Sequence, residues 1–70
     1  MSLETSSARL NAAAQAFGHR WHEVRAGWRD PRAERFEQRY VLATESGVRA
    51  ALSAMEHMHA ALEKARRECE

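Results

Sequence analysis

The chain has 70 residues, 44% of them hydrophobic and 30% charged, with four histidines, one cysteine and a net charge of +1. At this length a single core is marginal, and the lone Cys69 excludes an internal disulfide framework, so oligomerisation is the remaining way to stabilise the fold. Eleven basic residues balanced by ten acidic ones exclude a general nucleic-acid or membrane-surface role, and no apolar run reaches the length of about 18 residues that a bilayer span needs.

The N-terminal stretch Met1 to Ser7 lacks the basic start and apolar core of a signal peptide. A first helix is predicted over about 3–26, capped by Ser2 or Thr5, with Glu4 near its positive end. Leu3, Ser7, Leu10, Ala14, Phe17, Trp21, Val24 and Trp28 alternate in four- and three-residue steps. That spacing winds one apolar seam along the helix, and such a seam needs a partner surface. Gly18 weakens the helix by about 1 kcal/mol relative to alanine.

Gly27 is a helix stop, and Asp30-Pro31 is a helix start, with Asp as N-cap and Pro at the first helical position. The turn therefore occupies 27–30, a length that favours antiparallel neighbours. A second helix is predicted over about 31–68. Phe36, Tyr40, Ala43, Gly47, Ala50 and Ala54 form one seam on it, and Thr44, Val48, Ala51, Met55, Met58, Leu62, Ala65 and Cys69 form a second beside it. The stretch 44–47 is its weakest part and the place for a bend, although a continuous helix is expected.

The expected fold is an all-α, antiparallel two-helix hairpin, a single domain over 1–70, dimerising into a four-helix bundle. At 1.5 Å per residue the helices measure about 35 and about 55 Å, so the second outruns the first. Met55, Met58 and Leu62 fall in or near the overhang, and an uncovered apolar stripe there is an association surface. The expected interface residues are Leu10, Phe17, Trp21, Val24, Val48, Met55, Met58 and Leu62.

Chemistry is sparse. His19 and His22 lie three apart, but zinc takes three or four ligands and no cysteine is near. His57 and His59 sit on opposing parts of a helix. All four histidines are read as solvent-facing, and no metal or cofactor is expected. No nucleophile–base pattern is readable, so the chain is not expected to be an enzyme. The arginines from Arg20 to Arg39 are interleaved with Glu23, Asp30, Glu34 and Glu37, which gives a salt-laced surface rather than a nucleic-acid site. Trp21, Trp28, Phe36 and Tyr40 are bulky anchors at the closed end, and Trp28 should meet Phe36 across the turn.

The stretch from Trp28 to Tyr40 resembles the centre of the WXG family, small helical hairpins named for Trp-x-Gly at the turn. Trp28, Phe36 and Tyr40 match the family's aromatic spacing, with Asp30 in place of the glycine and Pro31 after it. The resemblance implies a homodimer, or a dimer with a paralogous hairpin, folded as a four-helix bundle. It also implies export by a type VII secretion machinery, without a cleaved signal peptide and with a secretion ATPase as a partner. The family's Tyr-x-x-x-Asp/Glu export signal is absent: Tyr40 is followed four residues later by Thr44. The alternative to an exported effector or adaptor is a cytoplasmic assembly subunit that grips a partner helix through Met55, Met58 and Leu62.

Overall fold

The computed structural model describes residues 2–69. Helix α1 spans Leu3–Ala26. A second helical run follows the turn, made of α2 (Pro31–Phe36), a π-helical segment (Glu37–Val41) and α3 (Leu42–Cys69). The chain is all-helical, and α1 packs along α3 as a hairpin with Cα extents of 59 × 18 × 11 Å.

Local chemistry sets each boundary. Ser2 is the N-cap of α1: its Oγ accepts from the Thr5 backbone N–H at 3.0 Å, which satisfies one of the unpaired donors of the first turn. At the far end the Gly27 and Trp28 N–H groups bond back to the Val24 and Arg25 carbonyls, both at 3.2 Å. Gly27 has φ −103°, so the helix stops without a left-handed residue. Asp30 is held extended ahead of Pro31, and one carboxylate oxygen accepts from the N–H groups of Arg32 (2.8 Å) and Ala33 (3.1 Å).

The two helices meet along a line that the alternating spacing only partly describes. Leu3, Leu10, Ala14, Trp21 and Trp28 are half-buried against the second run, but Phe17 and Val24 are 41% and 51% exposed. Gly18 and Arg25, one residue further on, take their places in the contact line. A straight α-helix drifts about 20° per heptad from a 3.5-residue repeat. Over the length of α1 that drift carries the contact from one heptad position to the next.

On the second run the contact line is Ala33, Glu37, Val41, Glu45, Val48, Leu52, Met55, His59 and Glu63. Ala33 and Val41 are the only buried residues among those described. Neither belongs to the seams expected from spacing. Through the weak stretch 44–47 the helix is continuous, as expected; α3 runs through Gly47, and the irregularity lies instead at Glu37–Val41, where the Leu42 N–H bonds to the Glu37 carbonyl. Steps of four advance an α-helical side chain by about 40° beyond a full turn. The wider π turn absorbs that advance and keeps Ala33, Glu37 and Val41 all directed at α1.

The overhang is shorter than the sequence reading placed it. Ser7 Oγ lies 3.3 Å from Met55 Sδ, and His59 Nε2 lies 2.9 Å from Glu4 Oε1. Met55 and Met58 are therefore inside the overlap of the two helices, and only the last turns beyond His59 project.

Candidate functional site

Three features are candidates for function: the closed end, the polar flank and the apolar flank of the hairpin. At the closed end Trp28 meets Phe36 across the turn, with ring centroids 5.8 Å apart. Trp21 stacks on Phe36 at 5.4 Å and meets Trp28 edge-on at 6.3 Å, and Tyr40 lies 5.0 Å from Phe36. Contacts of this kind contribute about 0.5–1.5 kcal/mol per pair beyond area burial. Phe36 and Tyr40 remain 40% and 54% exposed, so the cluster is a core on one side and a surface on the other. Asp30 and Pro31 serve this site by capping and starting α2.

Glu37 fastens the cluster. Its Oε1 accepts from the Trp21 indole N–H at 2.9 Å, and its Oε2 lies 3.5 Å from Arg25 Nε. Arg25 also donates to the Trp28 carbonyl at 2.8 Å. The sequence reading grouped Arg25 and Glu37 with the solvated charges; they are instead half-buried between the helices. The available signal was the position of Glu37, four residues from both Ala33 and Val41 on the contact line.

The polar flank carries Glu4, Asn11, Gln15, His22, Glu45, Arg49 and Glu56 along shallow grooves between the helices. His19, His22 and His57 are exposed, but His59 is half-buried and held by Glu4, which corrects the reading of four solvent-facing histidines. Among the described residues no group of three His, Cys, Asp or Glu side chains converges on a metal position. No described helix is long and apolar enough to cross a membrane.

The expected interface residues divide in two. Leu10, Trp21, Val48 and Met55 are half-buried within the hairpin, while Phe17, Val24, Met58 and Leu62 are exposed. At about 100° per residue, Phe17 and Val24 on α1 and Met58 and Leu62 on α3 point to the same flank, opposite the polar grooves. The π turn brings Phe36 and Tyr40 round to that flank as well. Thr44, Gly47, Ala51 and Ala54 continue it between them. None of these residues is charged, and Arg9 and Arg20 stand at its edge.

The hairpin exposes 5884 Å². A compact monomer of 8.0 kDa is expected to expose about 4,450 Å². The excess, about 1,400 Å², follows from the elongated two-helix shape of 59 × 18 × 11 Å, which leaves little of the chain interior.

No family model matches this chain, and neither a curated protein nor a solved structure matches it.

Proposed function

We propose that this chain is a non-enzymatic association module, a helical hairpin that completes its core with a second hairpin to form a four-helix bundle. One observation carries the reading: large apolar side chains line one uncharged flank of a molecule whose only buried residues, among those described, are Ala33 and Val41. A hairpin with so little interior gains most of its stability from what it binds. The resemblance of the aromatic turn of Trp28, Phe36 and Tyr40 to the WXG centre is what supports the process proposed for the module: a small effector or dimeric adaptor of a type VII-like export system.

The test has two parts. Sedimentation equilibrium over a dilution series reads the mass, and a dimer that dissociates with loss of helicity is expected. Expression beside a type VII-like export machinery then reads delivery to the medium. Dimerisation without export under any such pairing would leave the second reading, a cytoplasmic assembly subunit. A stable, fully helical monomer would refute the association module itself.

A further inference from the structure

The polar flank holds a recess at the open end of the hairpin, between the first half of α1 and the stretch of α3 opposite it. The recess measures about 400 Å³. Its floor is apolar: Leu3, Leu52 and Met55 are all half-buried there, with Ala8 at the side. Ser7 is taken up within the floor, where its hydroxyl donates to Met55 Sδ at 3.3 Å, a weak acceptor.

The rim is acidic. Glu4 and Glu56 line it, and no lysine or arginine among the described residues does. His59 Nε2 lies 2.9 Å from one oxygen of Glu4. Glu56 is exposed, and its carboxylate has no hydrogen-bond or ion-pair partner among the described residues; the Asn11 amide on the same rim has none either. Two carboxylates leave the recess negative even with His59 protonated. The next hollow along the groove differs, because His19, His22 and Arg49 face Glu45 in it. The purely acidic rim is therefore confined to the open end.

An apolar floor under an unpaired carboxylate suits a cation carried on an aliphatic stem. Lysine has that construction. Its methylenes fit along Leu52 and Met55, and its ammonium offers three donors to Glu56, the Asn11 carbonyl and water. We infer that this recess takes a lysine side chain from a segment of a partner protein. A segment is favoured over a free amine because the groove continues: Asn11 and Leu52 line the next hollow as well. A chain that places its lysine in the recess has a path onward along the flank, whereas a free amine uses the recess alone. This surface lies opposite the apolar flank and stays open when another hairpin covers that flank. The inference goes beyond the association module and does not depend on it.

The test is nuclear magnetic resonance on the full chain at low ionic strength. The probe is the blocked peptide acetyl-Ala-Leu-Lys-Leu-Ala-amide. The comparisons are the same peptide with norleucine or glutamate in place of lysine, and hexylammonium alone. Saturable shifts confined to the amides of 3–11 and 52–59 are expected with the lysine peptide. Norleucine keeps the stem and loses the charge, and should bind about fivefold more weakly, the upper end for an exposed ion pair. Glu56→Gln, at an exposed position without a partner, should leave helix content unchanged by circular dichroism. It should weaken the lysine peptide by the same factor and leave the norleucine peptide unaffected.

Equal binding of the lysine and norleucine peptides overturns the inference, since the recess is then an apolar groove without charge recognition. Binding of the glutamate peptide, or a lysine peptide indifferent to Glu56→Gln, overturns it equally. Hexylammonium binding as tightly as the lysine peptide makes the occupant a free amine and overturns the choice of a partner segment. Absence of shifts in these two stretches at millimolar peptide removes the site. The readout is chemical shift rather than mass, so each outcome stands apart from the oligomeric state and from the fate of the association module.

Discussion

Replacing Phe17 with alanine separates packing within the hairpin from packing outside it. Spacing alone assigns Phe17 to the seam between the helices, where truncation to alanine would cost about 3–5 kcal/mol of folding stability. The structure leaves the ring 41% exposed on the apolar flank. A phenylalanine carries about 200 Å² of side-chain surface, so about 80 Å² remains to be covered by a partner. At about 25 cal/mol per Å² this contributes about 2 kcal/mol per copy. A symmetric dimer loses it twice, about 4 kcal/mol, which weakens dimerisation roughly a thousandfold. Sedimentation equilibrium reads that change directly, and circular dichroism at matched fractions of dimer reads the helix content. The expected result is a dissociation constant raised by about three orders of magnitude, with the helicity of the residual dimer unchanged. An unchanged dissociation constant would refute the placement of Phe17 at the interface. Collapse of helicity at concentrations where the dimer persists would refute its exposure in the hairpin.

Val41→Ala gives the complementary result. The side chain is 1% exposed and packs within the hairpin, so the loss of two methyl groups with a small cavity costs about 1.5–2.5 kcal/mol. Urea denaturation should show a lower midpoint at every protein concentration. Glu37→Gln keeps an acceptor for the Trp21 indole but removes the charge facing Arg25. It should cost about 1 kcal/mol, and a melting temperature within 1 °C of the parent chain would show that the ion pair contributes nothing. Trp28→Ala opens the aromatic cluster at the turn; with Trp28 half-buried, about 2–3 kcal/mol is expected, read as a lower thermal midpoint with loss of the near-ultraviolet aromatic signal. The glycines diverge. A Cβ built at either Gly18 or Gly47 meets nothing within 4 Å in the hairpin, so Gly18→Ala, which faces the polar groove, should stabilise by about 0.8–1 kcal/mol. Gly47→Ala gains the same propensity but adds a methyl group on the apolar flank, and should weaken any association made through that flank. Equal gains at both positions would place Gly47 outside any interface.

What the sequence by itself determined is what depends on neighbours within one turn. Ser2 caps through Thr5, Gly27 ends α1, and Asp30-Pro31 starts α2, because each requires only a side chain and the backbone groups beside it. The aromatic meeting at the turn was legible for the same reason: a four-residue connection leaves Trp28 and Phe36 no way to avoid each other. The division of the apolar positions was not legible. Spacing assigns Phe17 and Val24 to the same seam as Leu10 and Trp21, because a 3.5-residue repeat and a 3.6-residue helix differ by only about 20° per heptad. Only the packed pair accumulates that difference over the length of α1 and turns Phe17 and Val24 outward.

Tertiary structure also decided where the second run is irregular. Gly47 marks the weakest helical propensity, yet an exposed glycine lowers stability without changing geometry, and α3 passes through it unbroken. The π turn at Glu37–Val41 answers a demand from α1 that no local pattern encodes: Ala33, Glu37 and Val41 must all face it while Phe36 stacks on Trp21. That single wider turn fixes the Glu37 clamp against Trp21 and Arg25. It also brings Phe36 and Tyr40 onto the flank shared by Met58 and Leu62. Periodicity supplied enough apolar residues for two surfaces; the drift of α1 and the π turn decided which of them close the hairpin and which stay open for a partner.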